Sequence, residues 1–157
     1  MRVIQSIPSM PKPVTEGEVE NFLQRKLNMQ LATIDEDGFP SVHPIWFIYD
    51  RDSGNILAGT QKGTKKVGNI RQNPGKVYFS IDDEGFPYMG VKGRASAAIW
   101  EDVQKNLAVM EKLNMKYLGT LEHPIAKMMI ENAKNGKEVV IELTPKFFSA
   151  WYFSKAQ

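Results

Sequence analysis

The sequence contains no cysteine and only two histidines, His43 and His123. The lack of cysteine excludes disulfides, thiolate nucleophiles and cysteine-ligated zinc or iron–sulfur sites. The two histidines lie eighty positions apart without an HExxH pattern, so we expect no histidine-based metal site. A GxSxG elbow is also missing, which leaves a serine nucleophile unsupported. These absences weaken the case for catalysis by side chains alone and leave room for a cofactor that supplies the reactive atom.

Long apolar runs and a strong net charge are absent as well. The 157-residue chain is 42% apolar and 24% charged, with a net charge of +2. This composition is ordinary for one soluble globular domain and implies no general affinity for nucleic acid. The first residues, MRVIQSIPSMPKP, are too short and too proline-rich for a signal peptide. We therefore expect a cytoplasmic protein with an irregular arm over 1–14 and a single domain over 15–157.

Hydrophobic periodicity predicts more strands than helices. Pro44 requires an edge position or a bulge for the strand that contains it. Because hairpin turns outnumber crossovers, the sheet should be antiparallel and barrel-like. Strands are predicted over 29–34, 41–49, 56–60, 77–81, 88–100, 139–143 and 147–153. Helices are predicted from a capping box at Thr15 and Glu18, over 64–72, over 103–118, and from Pro124 with Met128 and Met129 facing inward.

A basic segment, GTQKGTKK over residues 59–66, follows the third predicted strand. No acidic residue occurs between Asp52 and Asp82, so the lysines of this segment have no countercharge in their own stretch. Small residues, hydroxyls and ammonium groups meet where a strand passes into a helix, and this combination suits a phosphate at a helix N-terminus. The alternative is a solvated, lysine-rich turn.

Aromatic and small residues mark three further segments. The segment VHPIWF over 42–47 places flat side chains beside a proline, and these either border a planar ligand or pack into the core. Gly93 lies within a predicted strand and allows either a bulge or the close approach of another backbone or ligand. The aromatic run FFSAWYF over 147–153 is a dimer face, a pocket wall or a last core strand.

Three pieces of the chain, taken in order, resemble the pyridoxamine 5'-phosphate oxidase-like, FMN-binding split-barrel family. These pieces are LATIDEDGFPSVHPIWF at 31–47, ILAGTQKGTKKVGNIRQNPGKV at 56–77 and MGVKGRASA at 89–97. The resemblance implies a mainly β (α+β) fold, an antiparallel six- to seven-stranded Greek-key split β-barrel with flanking helices. It also implies a homodimer in which both chains complete the flavin site.

The resemblance further implies where FMN would bind. No arginine follows Trp151, where true pyridoxamine-phosphate oxidases grip the phosphate of their substrate, so vitamin B6 oxidation is not expected. Tyr88 falls near a position where those oxidases carry an amide side chain. The implied residues along the flavin ring are His43, Pro44, Ile45, Trp46 and Phe47, and those along the ribityl chain and phosphate are Gly59, Thr60, Thr64, Lys65 and Lys66.

We therefore expect an FMN-dependent oxidoreductase that transfers hydride to or from a small molecule, with NAD(P)H as a candidate donor. The alternatives are a deazaflavin-dependent reductase and a non-catalytic flavin- or haem-binding module. A weaker alternative is a small β-barrel that binds nucleic acid through the basic stretch over 59–76. The favoured interpretation names no catalytic residue and expects no metal, membrane or nucleic-acid partner.

Overall fold

Nine β-strands and four α-helices form the part of the chain that the computed structural model describes, residues 1–156. The helices are α1 (Glu16–Leu23), α2 (Lys65–Gln72), α3 (Val103–Leu118) and α4 (Pro124–Lys134). The strands are β1 (Val3–Gln5), β2 (Met29–Ile34), β3 (Pro40–Ile45), β4 (Phe47–Asp50), β5 (Asn55–Gln61), β6 (Val77–Asp83), β7 (Met89–Trp100), β8 (Glu138–Pro145) and β9 (Phe148–Tyr152). A short 3₁₀ helix, Phe153–Ala156, follows β9.

The strands form one mainly antiparallel sheet in the order β3-β2-β6-β7-β8-β5-β4. The long strand β7 carries β9 along its first residues and β8 along its last ones, in addition to β6. Strand β1 pairs with β9 in parallel, so the arm expected to be irregular contains a short strand. The mainly β split-barrel class expected from the sequence is confirmed, with nine strands in place of six or seven.

Strands β3 and β4 lie at opposite ends of this order, although only Trp46 separates them along the chain. The sheet must therefore curl until its two ends meet, which makes it a barrel that is left unpaired between β3 and β4. The single strand predicted over 41–49 is wrong, because β2 begins at Met29, opposite Ile45, and offers β3 no partner beyond that point. From Phe47 onward the chain pairs with β5 instead. Pro44 lies on the edge strand β3, as its missing N–H requires.

Two groups of buried side chains hold the fold together. One fills the barrel and includes Leu31, Ile56 and Phe79, and the other lies between the sheet and helices α3 and α4. The helix ends follow the sequence signals, because the capping box at the start of α1 is formed and Gly119 ends α3 with a φ of 72°. None of the helices in residues 1–156 is long and apolar enough to cross a membrane.

Gly93 is needed for the approach of another backbone. A β-carbon at this position would lie 2.1 Å from the carbonyl oxygen of Phe147, in the segment that leads into β9. Of the two interpretations left open by the sequence, close approach of a backbone therefore accounts for this glycine. The aromatic run that begins at Phe147 continues as β9, whose residues Phe148 and Trp151 are buried.

Candidate functional site

The candidate site is a pocket of about 340 Å³ at the unpaired side of the barrel. The end of β3, the end of β5 and the start of α2 supply its polar side, while α3 and α4 supply apolar side chains. Its lining residues are Asn28, His43, Pro44, Ile45, Trp46, Gly59, Thr60, Lys66, Leu113 and Met129.

A larger groove of about 530 Å³ lies between β4 and α3. Its charged residues have both signs, with Asp50 and Asp52 beside Arg51, Lys105 and Lys112. No charged side chain of this groove is buried, so the groove resembles ordinary solvated surface. We therefore regard the smaller pocket as the candidate site, because a buried charge faces it.

Lys66 is that buried charge, with only 9% of its surface exposed. Its ammonium group donates a hydrogen bond to Thr60 Oγ1 at 3.0 Å, and no carboxylate of residues 1–156 lies within ion-pair distance of it. Burial lowers the pKa of Lys66, and the charge of Glu138 opposes this shift. An ammonium group has three donors, so donors remain that an acceptor in the pocket could use.

Glu138 lies close to the same site, at the start of β8 and opposite Gln61 of β5. Its side chain is 3% exposed, and burial raises the pKa of its carboxyl group, although the Asn132 side chain and Lys66 lower it. Burial thus shifts both Lys66 and Glu138 toward their neutral forms. An anion that entered the pocket would favour the charged form of Lys66.

The start of α2 adds polar groups next to Lys66. Thr64 is the N-cap residue, but its side chain makes no capping hydrogen bond and instead donates to the Gln61 carbonyl at 2.9 Å. Its hydroxyl oxygen lies 3.5 Å from that of Thr60. The N–H groups of Lys65 and Lys66 at the start of α2 are consequently not capped by the Thr64 side chain and can bind an anion, whereas the Val67 N–H donates to the Thr64 carbonyl at 3.2 Å.

His43 contributes an exposed imidazole at the rim of the pocket. Partial burial and the nearby charge of Lys66 both lower its pKa. The imidazole is therefore mostly neutral at pH 7, and it adds no positive charge to the pocket. The anion-binding capacity of the site thus depends on Lys66 and the start of α2.

The opposite side of the pocket is apolar and comes mainly from distant parts of the chain. Trp46 stacks on Tyr117 of α3, with ring centroids 4.7 Å apart and planes inclined by 4°. Leu113 of α3 and Met129 of α4 complete this side. The sequence interpretation did not assign Leu113 or Met129 to the site, since neither belongs to a local motif. It predicted the helix that contains Leu113, but not the strand against which this helix packs.

Gly59 borders the pocket, and its lack of a side chain allows helix α3 to pack closely. A β-carbon there would lie 2.4 Å from Cε of Met110 and 3.0 Å from a methyl group of Leu113. Helix α3 therefore packs directly on the backbone of β5 at this glycine. Met129 faces inward as expected, but the same expectation for Met128 is wrong, because its side chain is 49% exposed.

The structure brings together most of the residues that the family resemblance implied. His43, Pro44, Ile45, Trp46, Gly59, Thr60 and Lys66 line the pocket, and Thr64 is adjacent to Thr60. Besides Thr64, which does not itself line the pocket, three implied residues lie outside it: Phe47, Lys65 and Tyr88.

Each of these three residues has other contacts. Phe47 is fully buried, with the Lys116 ammonium 4.0 Å from the centre of its ring. Lys65 is exposed on the outer side of α2 and forms an ion pair with Glu36 at 3.5 Å. Tyr88 donates a hydrogen bond to Asp82 at 3.1 Å, and its ring packs against the carboxy-terminal aromatics.

Comparison with known proteins places this pocket in context. A family model described as pyridoxamine 5'-phosphate oxidase matches residues 15–152. No curated protein matches the sequence. A solved structure of an F420 reductase is 33% identical, with 87% of this chain and 98% of that chain covered and a TM-score of 0.65.

Two more distant structures share the fold. A conserved hypothetical protein, Rv2991 from Mycobacterium tuberculosis, is 23% identical, with 97% of this chain and 92% of that chain covered and a TM-score of 0.79. The haem storage protein HutZ from Vibrio cholerae is 17% identical, with 87% and 93% covered and a TM-score of 0.65. At these identities the similarity concerns the fold alone.

Proposed function

Because the chain belongs to the pyridoxamine 5'-phosphate oxidase family, whose model matches residues 15–152, we propose that it is an FMN-binding oxidoreductase. The proposed reaction transfers hydride to or from a small molecule. True pyridoxamine-phosphate oxidation is not part of the proposal. The cytoplasmic location expected from the sequence stays a prediction.

The observation that carries the proposal is the buried Lys66 ammonium beside the pocket. A buried cation without an ion-pair partner is costly, and within residues 1–156 Lys66 has only the Thr60 hydroxyl as a hydrogen-bond partner. A phosphate group in the pocket would accept further hydrogen bonds from Lys66, and each such charge-assisted bond is short and strong. The donors near Lys66 therefore fit the phosphate end of FMN.

The residues around the pocket have separate tasks in this proposal. Lys66, Thr60 and the start of α2 would hold the phosphate, while Pro44, Ile45 and Trp46 would border the flavin ring. Leu113 and Met129 would exclude water from the ring. When bound, FMN supplies the hydride chemistry, and the protein controls orientation and access.

A deazaflavin-dependent reductase is the second candidate. The 33% identity to an F420 reductase, over 98% of that chain, favours it. This cofactor class shares a planar ring and a phosphate with FMN, so the same groups of the pocket would serve either. A non-catalytic haem-binding module is kept as a further outcome of the test, since the similarity to the haem storage protein concerns the fold only.

A homodimer is also part of the proposal. Val42, Ala32 and Tyr78 are neighbours on β3, β2 and β6 and form one cross-strand row on the outer face of the sheet. Val42 is 62% and Tyr78 40% exposed, and Phe39 at the adjacent turn is 68% exposed. An apolar face of this kind supports association with a second copy, which would complete the cofactor site.

The test is a titration of cofactor-free protein with FMN, coenzyme F420 and haemin, each followed by its own absorbance. Tight binding of FMN that is then bleached by NADH, NADPH or reduced F420 without oxygen is the expected result. Tight binding of F420 without FMN would select the second candidate, and a Soret band with haemin alone would select the haem-binding module. Failure to bind any of the three would overturn the proposed function.

A further inference from the structure

We propose that Tyr117 is a positioning residue for the candidate site: it fixes Trp46, and with it the apolar wall against which a cofactor ring would lie. This inference rests on the proposed function only for the identity of the bound ring. Its structural content, a tyrosine of α3 that orders a pocket residue between strands β3 and β4, can be tested without any cofactor.

Trp46 needs an external support because it belongs to no strand. It is the one residue between β3 and β4, at the point where the chain leaves its pairing with β2 and begins to pair with β5. Its position is therefore not fixed by a ladder of backbone hydrogen bonds. Tyr117 covers one face of its indole ring in a nearly parallel stack.

The Tyr117 hydroxyl also holds the backbone on both sides of the pocket wall. It accepts a hydrogen bond from the N–H of Phe47 at 3.2 Å, the peptide group that follows Trp46. It donates to the carbonyl of Leu27 at 2.6 Å, directly before Asn28, which also lines the pocket. Burial raises the pKa of Tyr117 to about 12, so the hydroxyl keeps the proton that it donates.

The neighbouring residue on α3 reinforces this connection. The Lys116 ammonium donates to the carbonyl of Phe47 at 2.9 Å and lies 3.5 Å from the carbonyl of Leu23 at the end of α1. Leu113, one turn before Tyr117 and on the same face of α3, lines the pocket itself. The last turns of α3 therefore contribute one wall residue and fix another.

The experiment uses Tyr117→Phe, which keeps the stacking ring and removes the two hydroxyl hydrogen bonds. The matched control is Tyr49→Phe, because Tyr49 is a buried tyrosine that does not line this pocket. The first measurement is acrylamide quenching of Trp46 fluorescence in a background with Trp100→Phe and Trp151→Phe, which leaves Trp46 as the only tryptophan. The second measurement is the dissociation constant for FMN.

We expect Tyr117→Phe to increase quenching of Trp46 and to weaken FMN binding about tenfold, the scale of one lost hydrogen bond and an unpaired buried amide. Tyr49→Phe should leave both quantities unchanged. Unchanged quenching in Tyr117→Phe, or the same increase in Tyr49→Phe, would overturn the positioning role. If the wild-type protein binds no FMN, the proposed function fails, and the quenching measurement still decides the role of Tyr117.

Discussion

Lys65 and Lys66 are adjacent in sequence but differ in what they contact. Successive residues of an α-helix point about 100° apart, so α2 turns Lys66 toward the pocket and Lys65 toward solvent. The sequence indicates a basic helix start, but it cannot distinguish the two lysines, because that difference depends on where α2 docks on the barrel. Glu36 lies in the turn after β2, and no local sequence pattern indicates that it pairs with Lys65.

We predict that Lys66→Met weakens FMN binding by between about tenfold and a hundredfold, the range for lost hydrogen bonds to a charged group. Lys65→Met is the matched control and should change the affinity by less than about threefold, since exposed ion pairs contribute little. Fluorescence titration of both variants measures the difference. Equal losses in the two variants would contradict the assignment of Lys66 as the phosphate anchor.

We predict that the free energy of unfolding depends on pH because Lys116 titrates differently in the folded and unfolded states. Burial lowers its pKa in the folded protein to about 8, from an ordinary value of 10.5. Between these two values the unfolded chain binds more protons than the folded protein, so the free energy of unfolding should rise with pH in this window. The gain should be about 1 kcal/mol, less than the full pKa shift implies, because solvent screens this partly exposed side chain.

The measurement is urea unfolding of wild-type protein and Lys116→Met at pH 7.5 and pH 10. Other titrating groups affect both proteins alike, so the difference between the two free energies of unfolding reports on Lys116. This difference should shift in favour of the wild type as the pH rises. A difference that stays constant or shifts the other way would show that the Lys116 pKa is not lowered in the folded state.

At the scale of elements, alanine substitutions at three glycines compare the cost of a steric clash with the gain in helix propensity. A β-carbon at Gly93 meets a backbone carbonyl at 2.1 Å, whereas one at Gly59 meets the flexible end of Met110. Gly68 is exposed within α2 and has open space around it. We therefore expect Gly93→Ala to destabilise the protein most, by more than about 3 kcal/mol, and Gly59→Ala by about 1–3 kcal/mol.

Gly68→Ala should instead stabilise the protein by about 0.5–1 kcal/mol, because alanine is the better helix former. Urea unfolding of the three variants gives the ranking. Should Gly59→Ala prove neutral, helix α3 would not pack against β5 as closely as described. A destabilising effect of Gly68→Ala would show that another group occupies the space around Gly68.

The elements themselves divide into those with local signals and those without. The capping box at Thr15, the glycine that ends α3 and the proline that starts α4 each fix a boundary through local backbone chemistry, and these boundaries are confirmed. The break at Trp46 has no such signal, because it depends on β2 beginning at Met29, in a different part of the chain, opposite Ile45. Leu113 and Met129 reach the pocket only through the packing of two helices on the sheet.

At the scale of the whole molecule, we predict a homodimer that uses the outer face of β3, β2 and β6. Sedimentation at micromolar concentration should give about twice the chain mass of 17.8 kDa. Val42→Lys places a charge in the exposed cross-strand row and should yield monomers. Ile125→Lys, at an apolar position on α4 that is also exposed, is the control and should remain dimeric.

A wild-type protein that sediments as a monomer while it holds FMN would contradict the shared site. A dimer that survives Val42→Lys would move the interface to another face. The sequence alone left the aromatic carboxy-terminal run open as a dimer face, a pocket wall or a last core strand, and much of that run is buried in β9. The exposed row arises from three strands that lie far apart in sequence and become neighbours only in the folded sheet.

The unpaired side of the barrel also bears on how the protein behaves at high concentration. A free strand edge is a template on which other chains can add strands and begin an aggregate. Here one such edge belongs to β3, which carries Pro40 and Pro44 and so lacks two of the donors that an added strand would need. The opening beside the candidate pocket is therefore poorly suited to recruiting a foreign β-strand.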